Sequence, residues 1–385
     1  MEKSPIRARR ARRSDERLDR YDVKILVAGT GSAFGLGRYE AVLVRALEQI
    51  AVSEGGEVSC LWRRAHPAFL NVSGGSLEDP SWGSPRSRFA LELLWRARTL
   101  PADVVIFTLP NLAPVALPLS VLRPSARVVV CTHGVEIWAP LPRARRAALR
   151  RATRVVASAT YNADRLRAVQ GVRPERIALI HLALPPSWVG GSAEGHARGP
   201  GEGRLLSVGR MDAAERYKGI DAVIRVLPDF RRNVPGVSYT VVGGGTDLDR
   251  LRQLAVDCGV ADLVRFTGEV EHEELLREYQ ECDVFVLPST GEGFGLVFLE
   301  AMSFGKPVVA VATGGPLDVV QDGITGRLVA SPDDISGALL ELLLDRDKAR
   351  TMGARGRARL QQSFSFERYV GRWRETLRAL LAERT

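Results

Sequence analysis

The sequence predicts an α/β protein made of two doubly wound halves, and three observations carry that prediction. Short apolar runs of strand length alternate with amphipathic segments of helix length, the pattern of a parallel sheet covered on both faces. The alternation stops once, over Ser187–Gly203, which holds six glycines, one proline and almost no large apolar residue, and then restarts. The length, 385 residues, suits two or three domains with self-sufficient cores.

The elements follow in order. Residues 1–20 carry eight basic and four acidic side chains and read as a solvated basic tail. With no apolar stretch among them, a secretory leader is not expected there. Val23–Ala28 is an apolar run, followed by the glycine-rich segment Gly29–Gly37 and an amphipathic helix over Arg38–Ile50. Further strands are expected at Val104–Thr108, Arg127–Cys131, Arg154–Ala157 and Ile177–His181. Val104–Leu122 lacks charge for 19 residues, but Pro110, Pro114 and Pro118 argue for a strand running into a proline-rich loop rather than a membrane span. In the second half the strands are Arg204–Val208, Ser238–Val242, Leu263–Phe266, Val284–Pro288 and Pro307–Ala312. Phe366, Tyr369, Val370, Trp373, Leu377, Leu380 and Leu381 recur with helical period after Ser365, a candidate cap. The expected domains are therefore 21–186, a linker 187–203, a second domain 204–364 and a terminal helix 365–385.

Composition excludes several classes. Apolar residues make 45% and charged residues 26%, which rules out a disordered, collagen-like or disulfide-scaffold chain. The net charge of +9 rests on 54 basic residues, of which only five are lysine. The arginines are spread along the chain without aromatic interleaving, so nucleic acid is not an expected partner. Arg143, Arg146, Arg150 and Arg154 are read as one face of a basic helix, a solvated surface or one that meets anionic lipid headgroups. Cys60, Cys131, Cys258 and Cys282 have no metal-ligand or redox spacing and read as reduced thiols of a cytosolic protein.

Chemistry concentrates in one segment, Val284-Phe-Val-Leu-Pro-Ser-Thr-Gly-Glu292-Gly-Phe-Gly-Leu-Val-Phe-Leu-Glu300-Ala-Met-Ser-Phe-Gly305-Lys-Pro-Val-Val. It reads as strand, tight loop, helix and strand, with the loop at the carboxyl end of a strand, where open sheets bind ligands. Gly293 and Gly295 allow close approach of backbone to a ligand. The N–H groups of Gly295 and Leu296 open a helix whose positive end favours phosphate. Glu300, inside that helix, leans toward its start and suits neutral hydroxyls such as a ribose diol, because a phosphate would repel it. Arg210 and Lys218, after the first strand of the second half, place two cations at a sheet edge where a pyrophosphate fits. Arg216 between them reads as a solvated loop cation. Gly29-Thr-Gly31-Ser-Ala-Phe34-Gly35-Leu-Gly37 departs from a dinucleotide fingerprint at Phe34.

The Glu292–Glu300 pair within Pro-Ser-x-x-Glu-Gly-Phe-Gly-Leu-x-x-x-Glu-Ala-Met-x-x-Gly-x-Pro-Val-Val resembles the donor-site motif of retaining glycosyltransferase family 4, over roughly residues 22–383. The resemblance implies the GT-B fold: two Rossmann-like domains facing a cleft, with the C-terminal helix crossing back to the first domain. It implies transfer of a sugar from a UDP- or GDP-linked donor to an acceptor hydroxyl in polysaccharide, glycolipid or other glycoconjugate synthesis. Arg210 and Lys218 would bind the diphosphate, in the Glu-Arg-Tyr-Lys-Gly form that some members carry. His133, in Thr132-His133-Gly134, would be the active-site histidine that reaches the sugar. Glu292 would bind sugar hydroxyls or steady positive charge on the sugar. Gly35, Gly37, Phe294, Gly295, Leu296, Gly314 and Gly315 would line the donor. No metal and no cofactor beyond the sugar nucleotide are expected, since cations of the protein stand where a metal would. The acceptor would be a sugar, lipid-linked or small, with the enzyme cytoplasmic or peripheral at the inner face of an anionic membrane. A sugar-nucleotide epimerase on the same fold, and a basic nucleic-acid- or membrane-binding protein, are the alternatives.

Overall fold

The computed structural model describes residues 23–30, 36–62, 86–99, 102–188 and 203–383. Residues 1–20, most of the linker 187–203 and Gly35 lie outside them. Two six-stranded sheets, parallel throughout, carry the fold. The first holds β1 (Lys24–Gly29), β2 (Glu57–Trp62), β3 (Val104–Phe107), β4 (Arg127–Thr132), β5 (Arg154–Ala157) and β6 (Ile177–Leu179). Its order is β2-β1-β3-β4-β5-β6. The second holds β7 (Arg204–Val208), β8 (Ser238–Val242), β9 (Val264–Gly268), β10 (Val284–Leu287), β11 (Val308–Val311) and β12 (Gly326–Val329), in the order β12-β11-β10-β7-β8-β9.

Each sheet is covered by helices, so its central strands are apolar along their whole length: every residue of β3, β10 and β11 is buried. The expected doubly wound halves are therefore present. Two strands went unread in the sequence, β2 and β12. Each lies at a sheet edge and is only partly buried, so its apolar pattern is diluted. After β3 the chain does not continue as a loop. Pro114 stands in the opening turn of the short helix Ala113–Val115, and the helix Ala116–Leu122 follows. A proline in a first turn lacks only an N–H that has no helical partner anyway. The basic helix is Arg143–Arg151 and does not reach Arg154. Arg154 opens β5, and its guanidinium bonds Glu383 at 2.5 Å and the Glu175 carbonyl. A shared face of Arg143, Arg146, Arg150 and Arg154 is thus corrected to a shorter one.

The C-terminal helix, Phe366–Ala382, is capped by Ser365, whose hydroxyl accepts the Arg368 N–H at 3.3 Å. It leaves the second domain and packs on the helix Leu36–Glu54 of the first. Trp373, Leu380 and Tyr369 are buried there, and Arg378 bonds Glu54 at 2.8 Å. The apolar stripe of this helix is long because it spans two domains. The four cysteines are free thiols, with Cys131 and Cys282 buried. Among the described residues no helix is long and apolar enough to cross a membrane.

Candidate active site

In the second sheet the chain goes from β7 outward through β8 and β9, then returns to lay β10 on the other side of β7. Loops leaving β7 and β10 therefore part, and a crevice opens at their carboxyl ends. Arg210 and Lys218 follow β7, Glu292–Leu296 follow β10, and Gly314–Gly315 follow β11. Three adjacent strands thus collect residues that are up to 105 positions apart, from Arg210 to Gly315.

The details of this side are specific. Gly295 has φ 91° and serves as the turn into the helix Leu296–Ser303, a conformation that favours glycine. Glu292 is partly buried, and burial raises its carboxyl above the ordinary value, while Lys218 and the backbone N–H groups of Phe294 and Gly295 oppose that rise. The Glu292 carbonyl accepts the Gly315 N–H at 2.9 Å, which seats the Gly314–Gly315 turn on the loop. Gly314 has φ 67°. Phe294 as a whole is 2% exposed and its ring packs near His181 and Phe364, so the donor-lining role expected of it is corrected: it braces the loop from within. Arg216 bonds Asp247 at 2.8 Å. Arg210 and Lys218 both pair with Glu215, a residue the sequence reading passed over.

Glu300 is 3% exposed. Its Oε2 accepts the Tyr279 hydroxyl at 2.7 Å, and its Oε1 accepts Arg38 Nη1 at 3.1 Å. Burial raises its carboxyl, and the Arg38 charge is the largest opposing influence. Arg38 belongs to the first domain, so this pair bridges the two halves. The same guanidinium lies over the Trp188 ring at 5.5 Å.

The first domain supplies the opposite wall. Strands β1, β3 and β4 are neighbours, and Thr30, Thr108 and His133 follow them. His133 Nε2 lies 2.8 Å from the Thr108 carbonyl. A carbonyl only accepts, so Nε2 carries the hydrogen and Nδ1 of the neutral ring is an acceptor. Tyr39 meets the imidazole edge-on at 4.1 Å between centroids. Glu40, wholly buried, accepts the Thr108 hydroxyl at 2.6 Å and the Thr30 N–H at 2.8 Å. It fixes the ends of β1 and β3. Glu40 escaped sequence reading because a single carboxylate in a helix pattern looks solvated. Gly37 lies buried in the first turn of the helix Leu36–Glu54, among N–H groups without helical partners.

The two walls touch through glycine. A side chain on Gly293 would overlap the His133 carbonyl oxygen and stand 2.6 Å from Gly134 Cα. The close approach expected between Gly293 and a ligand is, in the structure, an approach to the other domain. Asn162, wholly buried, ties the junction: its amide donates to the Gly293 carbonyl at 2.8 Å and the His133 carbonyl at 3.1 Å. Asp318 accepts the Thr160 N–H at 2.6 Å and lies 2.9 Å from His181 Nε2, which together hold its carboxyl below the ordinary value against burial.

Two facing Rossmann-like domains, a switch-point crevice with paired cations and a crossing terminal helix are now in place. The model for glycosyl transferases group 1 matches residues 194–359, and that for a glycosyl transferase 4-like domain matches residues 11–183. A GDP-mannose-dependent alpha-(1-6)-phosphatidylinositol monomannoside mannosyltransferase of Mycobacterium tuberculosis is 38% identical over 300 residues, 70% of this chain and 73% of that one.

The chain is a family 4, group 1 glycosyltransferase.

Some relatives match a shorter stretch of this glycosyltransferase. A Mycobacterium tuberculosis glycogen synthase is 40% identical over 172 residues, 44% of this chain and 40% of that one. Among solved structures, sucrose-phosphate synthase from Thermosynechococcus elongatus superposes with a TM-score of 0.75 at 22% identity, over 94% of this chain and 100% of that one. Anabaena HepE in complex with UDP and glucose gives 0.72 at 19% identity, over 93% and 100%. At such identities these two likenesses bear on the fold, which is GT-B.

Proposed function

We propose that this glycosyltransferase moves a hexosyl group from a nucleoside-diphosphate sugar to an acceptor hydroxyl, retaining the anomeric configuration and using no metal. The observation that carries the reading is the pair Arg210 and Lys218 at the switch point of the second sheet, beside the helix that starts at Leu296. As the glycosidic bond breaks, negative charge grows on the leaving diphosphate. Two cations and a helix N-terminus stabilise it in the transition state more than in the ground state. Glu292 serves the sugar hydroxyls or the positive charge developing at the anomeric carbon. His133, presenting Nδ1 as an acceptor, orients the sugar. Glu300 takes the ribose diol, in exchange for the bond that Arg38 makes to it in the structure. No carboxylate suited to the opposite face of the anomeric carbon emerges among the described residues, which favours attack from the same face, guided by the departing phosphate.

The likeness over 300 residues to a GDP-mannose-dependent enzyme favours a guanosine donor and a mannosyl group, with a lipid-linked acceptor. Peripheral contact with the cytoplasmic membrane face fits the helix Arg143–Arg151, which packs beside the helix Ala116–Leu122, where Val121 is 77% exposed. Retention of the enzyme by phosphatidylglycerol vesicles and not by phosphatidylcholine vesicles is the expected result, and no retention by either rejects that contact. The donor is tested with a panel of GDP- and UDP-sugars assayed for slow hydrolysis. Turnover led by GDP-mannose is expected. Turnover confined to UDP-sugars rejects the guanosine assignment, and no turnover of any donor rejects the transferase mechanism set out here.

A further inference from the structure

In the structure the two cations assigned to the diphosphate already hold an anion. Glu215 Oε1 accepts from Arg210 Nη2, and Glu215 Oε2 lies 2.9 Å from Lys218 Nζ. Lys218 Nζ also donates to the Arg210 carbonyl at 3.1 Å. One carboxylate therefore spans both cations, as two phosphate oxygens of a diphosphate would. Lys218 and Glu215 are largely covered, at 14% and 15% side-chain exposure, whereas the Arg210 side chain is 63% exposed.

The backbone beneath the carboxylate is tied down. The Glu215 N–H donates to the Asp212 carbonyl at 2.7 Å, and the Ala213 N–H to Thr246 Oγ1 at 3.0 Å. The Thr290 N–H donates to the Tyr217 carbonyl at 2.8 Å, fastening this segment to the loop that carries Glu292. The Tyr217 ring lies over Gly291, where an added side chain would collide with it. The loop is thus held, and what binds the Glu215 carboxylate itself is its pairing with Arg210 and Lys218. Carboxylate and phosphate are both anionic acceptors, and they seek the same donors. A diphosphate arriving with Glu215 in place meets a like charge at contact distance.

We propose that Glu215 is the resident counterion of the diphosphate site and sets the affinity of the enzyme for its nucleotide. Resting on the reading that Arg210 and Lys218 hold the diphosphate, it adds an exchange. Glu215 keeps the cations together while the site is empty. It yields them to phosphate oxygens when the donor binds, and retakes them as the nucleoside diphosphate departs. Every bond in the exchange is an ion pair or hydrogen bond, so no covalent change is involved. Glu215 weakens binding of nucleotide and speeds its release.

Calorimetric titration of the full-length enzyme with GDP, UDP and the two nucleosides tests this. Glu215→Gln should bind the diphosphate of the preferred base about tenfold more tightly, the effect of one charge-assisted bond no longer in competition. Affinity for the nucleoside, which lacks phosphate, should not change. The donor KM should fall, and kcat should fall with it as product release slows. Glu215→Asp, with a shorter reach, should lie between the two and serves if the first variant folds poorly. Unchanged or weaker diphosphate binding in a folded Glu215→Gln enzyme overturns the proposal and makes Glu215 a strut that orients the cations. Lys218→Met separates the two levels. If it leaves diphosphate affinity intact, the assignment of the diphosphate itself fails; if it weakens binding, Glu215 alone is in question.

Discussion

Gly293→Ala puts a single methyl group into the junction of the two domains. The added carbon would stand 2.6 Å from Gly134 Cα and inside contact distance of the His133 carbonyl oxygen. Carbon atoms in van der Waals contact sit at about 3.5–4.0 Å, so the domains must part by about 1 Å at this point. Gly293 is not among the glycines in the left-handed region, so no left-handed backbone adds to the cost of alanine there. The cost therefore falls on the junction, where the Asn162 bond to the Gly293 carbonyl at 2.8 Å is stretched as well. A 1 Å misplacement of catalytic groups lowers a rate by about 10²-fold. The expected outcome is a kcat about a hundredfold lower with nucleoside diphosphate affinity nearly unchanged, because Arg210, Lys218 and Glu300 keep their places in the second domain. Steady-state kinetics and calorimetry on the same preparation read both quantities, and small-angle scattering should show a more open molecule. A variant with native kcat would refute the argument that this backbone contact sets the catalytic geometry. Weakened nucleotide binding with an unchanged shape would refute it differently, by returning Gly293 to the ligand.

Two further outcomes are expected. Burial raises the Glu292 carboxyl, so the folded protein holds that proton more firmly than the unfolded chain does. The resulting penalty is absent below the ordinary carboxyl range and grows as pH rises through it; Glu292→Gln should therefore melt higher than the parent at pH 7.5, show no such gain near pH 4, and lose about 10²–10³-fold in kcat. An equal melting shift at both pH values would contradict this. Trp373, with no exposed surface, anchors the crossing helix against the first domain. Trp373→Ala should cost about 3–5 kcal/mol in denaturant unfolding and depress activity, although it lies among no donor-binding residues; a loss under 1 kcal/mol would mean that the helix is held otherwise.

Much of this enzyme could be read without coordinates. β5, β7 and β8 have the bounds their apolar runs indicate. The donor side was legible because its parts are local: a strand, a turn that needs Gly295 at positive φ and a helix start are consecutive residues, and Arg210 and Lys218 follow one strand. Their types and spacing follow from chemistry that acts over one or two turns of chain. β2 and β12 were missed because an edge strand is only partly buried and its pattern resembles a loop. What tertiary structure decided is which surfaces face each other. Glu300 bonds Arg38, 262 residues away, Asn162 reaches Gly293, 131 residues away, and Thr160 meets Asp318 across 158. Periodicity reports that a side chain is covered by its own sheet or helix; it carries no information on the partner a second domain brings. Glu215 and Glu40 eluded the sequence for the related reason that a carboxylate's role depends on the cations and hydroxyls placed around it, and those places are set by how the strands are ordered, not by their order along the chain.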